Sequence, residues 1–291
     1  MMLIIKEEVG DYLKLIIFCR KRIRCDVRVG YYFYVCYQRM SIPTLYHVAA
    51  DSIPSTSITD KCIVLDLDQT LIATQDNVNS LMQLGILSDS KLVKLRNRTY
   101  HITIEDLEKP GIGTKYDFWG VSRPHVQEFL IFCFSYFKIV AVWSAGKRPY
   151  VEAIVDYLFK DLPQPHVIFT HDDIIIGPQG HVEKPLTKMI ESNPILRRHM
   201  SLQNTLAVDD NSMTFFLNYE NGILIPAYNP SLNVNALARN DPTLLQLKYW
   251  FLQPEVVNSR DVTTLDKSKI FSTPLNAYQT KLKSIPGYRF T

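Results

Sequence analysis

The run Lys61-Cys-Ile-Val-Leu-Asp66-Leu-Asp68-Gln-Thr70 constrains this chain more than any other stretch. Residues Cys62 to Leu65 are all apolar, which suits a short strand buried on both faces, and such strands belong to parallel sheets covered by helices. Read as extended chain, the run sends Asp66, Asp68 and Thr70 to one side and Leu65, Leu67 and Leu71 to the other, because strand side chains alternate. Carboxylates that close repel each other and raise a pKa unless a cation sits between them. Taken alone, D-x-D-x-T reads equally well as a solvated strand end or a helix cap. Its meaning depends on the company it keeps downstream.

From residue 61 onward the chain alternates strand and helix. Residues 75–120 form an insert, with a helix expected near Asn79–Leu87 and a strand over Arg98–Ile104. Val126, Phe129, Leu130 and Cys133 have helical spacing, and Phe137–Trp143 reads as a buried strand. Tyr150–Phe159 predicts another helix through Val151, Ile154, Val155 and Leu158. Short strands are expected at Val167–Thr170, Leu206–Val208 and Gly222–Pro226. This order predicts an α/β fold: a Rossmann-like parallel sheet with helices on both faces and a small β-containing insert after the first strand. Ligands bind such sheets beyond the carboxyl ends of the strands.

Charge and cysteine usage set residues 1–39 apart. Of 32 basic and 29 acidic residues, eight basic and four acidic fall there, so this stretch carries +4 of the net +3 and the remainder is −1. The main domain therefore carries no basic footprint for nucleic acid, and no direct nucleic-acid binding is expected. Cys19, Cys25 and Cys36 lie in the same stretch, whereas Cys62 and Cys133 sit in apolar runs and read as small core residues. The spacing suggests neither a disulfide framework nor a zinc site, so a reducing, intracellular compartment is expected. No window resembles a membrane span, and Glu7, Glu8 and Asp11 spoil a signal peptide.

The expected organisation is a basic extension at 1–39 with no persistent helical or strand period, a leader at 40–60, a catalytic domain at 61–252 and a tail at 253–291 that packs loosely. Met40 opens more ordinary sequence and is an alternative start, with a basic arm for anionic surfaces as the rival reading of residues 1–39.

Further polar clusters sit at the expected strand ends. Trp143-Ser144-Ala145-Gly146 puts a hydroxyl and a glycine just before a helix, Lys184-Pro185-Leu186 puts a lysine ahead of another, and Val208-Asp209-Asp210-Asn211 supplies more carboxylates. Each has an innocent alternative: Ser144 as a helix cap, Lys184 as a solvated charge, the aspartates as a turn. The seven histidines show no ligand spacing. Together, and in this order, the clusters point to phosphoryl transfer.

The order D-x-D-x-T, Ser, Lys, D-D resembles the haloacid dehalogenase superfamily. Within it the chain resembles the NLI-interacting-factor-like phosphatases, which act on the C-terminal domain of RNA polymerase II. Arg123-Pro124, Trp143-Ser144-Ala145-Gly146 with Tyr150, Lys184-Pro185-Leu186, Asn221 and Asp241-Pro-Thr-Leu-Leu-Gln-Leu extend the match over about residues 60–252. Trp-Ser-Ala-Gly and Ile225-Pro226-Ala-Tyr look most like versions carried by large DNA viruses. Gln69 stands where the family often has Glu, and Pro185 where cellular members often have Asp.

The resemblance implies that Asp66 is the nucleophile, forming an aspartyl-phosphate, and that Asp68 is the general acid and base. It implies Thr70, Ser144 and Lys184 as phosphate-binding residues. A Mg²⁺ would be held by Asp66, the Asp68 backbone carbonyl and Asp210, with Asp209 auxiliary, which also answers the repulsion among the carboxylates. Arg123 is open between orienting the insert, substrate contact and a structural ion pair. The implied activity is hydrolysis of phosphomonoesters on a phosphorylated protein or peptide, in the cytoplasm or nucleus (of a host cell if viral). Alternatives are a small-molecule or nucleic-acid phosphoester as substrate, or a silent scaffold of the same fold.

Overall fold

The computed structural model describes residues 3–9, 12–18, 53, 57–109 and 111–284. The chain divides into two compact units, residues 1–33 and 34–291. In the first, β1 (Leu3–Val9) pairs antiparallel with β2 (Tyr12–Phe18), in register from Leu3↔Phe18 to Val9↔Tyr12. The hairpin forms in a stretch with no persistent strand period, since cross-strand pairing does not need a strict apolar alternation. The candidate start at Met40 and most of the 40–60 leader lie outside the described residues.

The second unit is built on β3 (Cys62–Leu65), whose residues are all buried. The chain then folds back as β4 (Ile72–Gln75) and enters the insert through α1 (Val78–Gln83) and α2 (Val93–Arg96). β5 (Thr99–Glu105) and β6 (Lys115–Ser122) complete an antiparallel sheet in the order β4-β6-β5. The insert has its own core of Leu81, Ile86, Leu95, Trp119 and Val121. The expected helix and strand are present, and β6 is an addition to the expectation.

α3 (Val126–Tyr136), β7 (Ile139–Trp143), α4 (Arg148–Leu158) and β8 (Val167–Phe169) come next. A small ribbon pairs β9 (Ile175–Ile176) with β10 (Val182–Glu183) before α5 (Leu186–Glu191) and α6 (Pro194–His199). β11 (Thr205–Asp209) and β12 (Gly222–Leu224) finish a parallel sheet of order β12-β11-β3-β7-β8. Alternation along β3 sends Ile63 and Leu65 into one core with residues of α3 and α4, and Cys62 and Val64 into a second with residues of α5 and α6. The sheet is thus covered on both faces, as an α/β fold requires.

Over its described residues, 253–284, the tail packs on the core and not loosely. After α7 (Val234–Ala238) and α8 (Thr243–Phe251) come α9 (Pro254–Val257) and α10 (Leu275–Lys283). Val256, Val262, Ile270, Tyr278 and Leu282 are all buried. Lys61, the residue before β3, buries its ammonium against this segment and donates to the Val257 and Ser259 carbonyls at 2.9 and 2.8 Å. The apolar positions are split among short helices and turns, so no long period announces them.

Candidate active site

Sheet register brings the site together. Leu65 pairs with Val142 on one side and Val208 on the other, so Asp66, Trp143 and Asp209 each stand one step beyond the same row. The Asp66 N–H donates to the Val208 carbonyl at 3.0 Å and ends the ladder there. Beyond it the chain turns, with the N–H groups of Thr70 and Leu71 donating to the Leu67 carbonyl and Gln69 left-handed at φ 58°. The extended alternation expected through residue 70 is therefore replaced by a tight turn. Leu67 and Leu71 are nevertheless buried, as expected, and so are Asp66 and Thr70.

Asp66, Asp209 and Asp210 each offer a carboxylate oxygen within 4.8 Å of the others. Lys184 joins the cluster from the loop after β10, its ammonium donating to Asp66 Oδ1 and Asp209 Oδ2 at 2.6 Å each. The lysine thus arrives from the small antiparallel ribbon and not from an end of the parallel sheet. Thr70 Oγ1 donates to Asp210 Oδ1 at 3.4 Å, and the Asn211 N–H donates to Asp209 Oδ1 at 2.9 Å. One ammonium pairs with two of the three carboxylates, and the half-buried Asp210 adds a further acid beside them. Burial pushes the Asp66 carboxyl up to about 8 against the pull of Lys184, and the Asp209 charge adds to the rise. Burial raises Asp210 too, again with Asp209 adding. Clustered hard oxygen donors with uncompensated charge fit Mg²⁺.

Asp68 has different company. Its Oδ1 accepts from the Tyr150 hydroxyl at 2.5 Å and from Thr74 Oγ1 at 3.0 Å. Burial holds its carboxyl above the ordinary range, opposed by those two hydrogen bonds. The two aspartates of D-x-D therefore occupy distinct environments, one against an ammonium and one against hydroxyls. Thr74 and Tyr100 give no sign of this in sequence, because the contact depends on how the insert sheet folds back. Tyr150 is legible only as a residue of the family pattern.

Ser144 is buried at the end of β7, where its hydroxyl oxygen accepts from the Gly146 N–H at 3.0 Å. It is not the cap of α4, whose N-terminal cap position is Lys147. Arg123 is buried and donates to Asp241 Oδ2 at 3.1 and 3.2 Å, to the Thr70 carbonyl at 3.1 Å and to the Pro226 carbonyl at 2.8 Å. The ion-pair alternative describes it: Arg123 anchors the turn that carries Thr70.

The family model described as NLI interacting factor-like phosphatase matches residues 61–263. A CTD phosphatase-like protein of Invertebrate iridescent virus 3 is 33% identical over 96 residues, which cover 33% of this chain and 42% of that protein. Among solved structures, Fcp1, an essential RNA polymerase II CTD phosphatase, superposes with a TM-score of 0.47 at 15% identity, over 78% of this chain and 54% of its own. A fission yeast Fcp1 variant bound to beryllium fluoride also scores 0.47, at 16% identity, over 79% of this chain and 57% of its own. The chain thus spans about half the length of the relatives it matches.

Proposed function

Because the chain belongs to the NLI interacting factor-like phosphatases, a family of the haloacid dehalogenase type, we propose that it is a Mg²⁺-dependent phosphatase acting on phosphoserine or phosphothreonine in proteins. The observation that carries this reading is the convergence of Asp66, Lys184, Asp209 and Asp210, with Asp68 held apart by hydroxyls. A purely structural cluster has no need of two buried acids and a half-buried third around one base.

In this reading Asp66 attacks phosphorus in line as the bond to the leaving oxygen breaks, and an aspartyl-phosphate forms. Asp68 gives its proton to the departing oxygen, then takes one from the water that attacks the intermediate and frees inorganic phosphate. General acid–base help of this kind is typically worth about 10²–10⁴-fold. Burial favours the protonated form of Asp68, the direction a proton donor needs. Lys184 supplies a fixed positive charge for a phosphoryl oxygen, and the Thr70 and Ser144 hydroxyls are donors for the others. A Mg²⁺ held by Asp66, the Asp68 carbonyl and Asp210, with Asp209 beside them, would offset the crowded negative charge and stabilise charge developing on the phosphoryl oxygens.

The protein substrate is supported by the family and by the name of the viral relative. Among the described residues, no helix is long and apolar enough to cross a membrane. The test is turnover of p-nitrophenyl phosphate with Mg²⁺ and with excess EDTA, then a panel of phosphopeptides that includes polymerase C-terminal-domain repeats. Turnover that survives EDTA refutes the metal requirement. A preference for small phosphoesters over every peptide refutes the protein substrate.

A further inference from the structure

The hydroxyls around Asp68 do more than fill space. Thr74 Oγ1 lies 2.6 Å from the Tyr150 hydroxyl and 2.6 Å from the Tyr100 hydroxyl, and the Tyr150 hydroxyl lies 2.5 Å from Asp68 Oδ1. A hydroxyl has one proton to give and lone pairs to receive. Running the protons from Tyr100 to Thr74, from Thr74 to Tyr150 and from Tyr150 to Asp68 uses each one once along the shortest contacts. Thr74 can also turn its proton directly to Asp68 Oδ1 at 3.0 Å. Either arrangement makes Oδ1 an acceptor.

A carboxylic acid carries its proton on one oxygen. With Oδ1 engaged as an acceptor, the mobile proton of Asp68 belongs on Oδ2. The array comes from three elements, Thr74 on β4, Tyr100 on β5 and Tyr150 in the first turn of α4. It is also braced. The Tyr100 ring packs on Tyr157 with centroids 4.7 Å apart, and Tyr150 meets Phe118 edge-on at 5.5 Å. Both tyrosines are buried. Gly120 leaves the room that the Tyr100 hydroxyl fills, since a Cβ there would run into it.

We infer that Tyr150, Thr74 and Tyr100 are positioning residues for proton transfer: they occupy one oxygen of Asp68 and thereby present the other, with its proton, to the leaving group. As the bond between phosphorus and the leaving oxygen breaks, that oxygen takes the proton from Oδ2, and the carboxylate left behind keeps its hydrogen bonds at Oδ1. In the second half of the cycle Oδ2 recovers a proton from the attacking water. This inference rests on Asp68 being the general acid, and the experiment separates the two.

The experiment measures kcat/KM of the full chain on phenyl phosphate and p-nitrophenyl phosphate, a pair whose ratio reports protonation of the leaving group. Nitrophenolate is a weak base and departs without a proton, whereas phenolate needs one. Tyr150→Phe and Thr74→Val are expected to lower kcat/KM for phenyl phosphate by about 10- to 100-fold, the usual scale of a small misplacement, and to leave p-nitrophenyl phosphate within a few-fold. Thr74→Ser keeps the hydroxyl and should restore the phenyl ester. Equal losses on both esters, or a Thr74→Ser variant as poor as Thr74→Val, would overturn the inference. Should Tyr150→Phe fail to fold, the Thr74 pair decides alone. Asp68→Asn runs beside them. If it discriminates between the esters and the array variants do not, the inference alone falls; if it does not discriminate, the proton-donor reading falls and takes the inference with it.

Discussion

At the scale of single residues, the site holds three acids, Asp66, Asp68 and Asp210, whose charged forms the fold disfavours. Asp66 has an ordinary value of 3.8 and is pushed up to about 8 by burial, with the Asp209 charge adding and Lys184 opposing. A carboxyl raised on folding leaves stability intact below its unfolded value and removes it as pH climbs through the folded one. The metal-free protein should therefore lose stability between about pH 4 and pH 8, with Asp68 and Asp210 contributing in the same direction. Asp66→Asn should flatten that slope in thermal unfolding with EDTA present, while abolishing phosphatase turnover. A slope unchanged by the substitution would show that Asp66 is ionised in the folded protein already. The sequence showed the acids and the lysine in their order along the chain. It did not show the pairing of Lys184 with both Asp66 and Asp209, because residues so far apart meet only through sheet register and the small ribbon.

At the scale of elements, two contacts hold the insert and the loops to the sheet. Arg123, at the junction of β6 and α3, pairs with Asp241 just ahead of α8 while gripping the Thr70 and Pro226 carbonyls. Asp241 is half-buried, so removing its charge should cost less than the ~3–5 kcal/mol typical of a fully buried pair, and Asp241→Asn should still lower the urea midpoint. The Asp241 carboxyl lies below its ordinary 3.8, because hydrogen bonds from Thr243 and the Arg123 charge overcome the effect of burial. Its contribution is present above 3.8 and lost as pH falls through the folded value, the opposite sense to Asp66. Gly120 on β6 makes the other contact, and a methyl there would strike the Ala73 carbonyl and the Tyr100 hydroxyl. Gly120→Ala should cost about 1–3 kcal/mol in chemical denaturation, the usual range for overpacking. Continuous apolar runs made β3 and β7 readable, since each is buried along its whole length. β6 was not readable: it is exposed or half-buried over its first half and buried over its second, so neither alternation nor an apolar run marks it.

At the scale of the whole molecule, the segment after residue 253 closes the core. Val256 and Val262 are fully buried, Phe251 is covered, and the Val262 N–H donates to the Gln203 carbonyl at 2.8 Å. A chain ending at residue 252 should therefore show no cooperative thermal transition by near-ultraviolet circular dichroism, although it keeps every candidate catalytic residue. A cooperative transition in that shortened chain would mean that the remaining sheet and helices suffice. The closing segment also bears on how the protein is made. β3 is the middle strand of the parallel sheet, yet its neighbour β11 is encoded far later and the segment that receives the Lys61 ammonium later still. On the ribosome Asp66 and its strand emerge early and wait with apolar faces uncovered, and domains generally fold as units. Catalytic competence should therefore appear only once α9 has cleared the exit tunnel. Until then the nascent chain should expose the kind of apolar surface that chaperones bind.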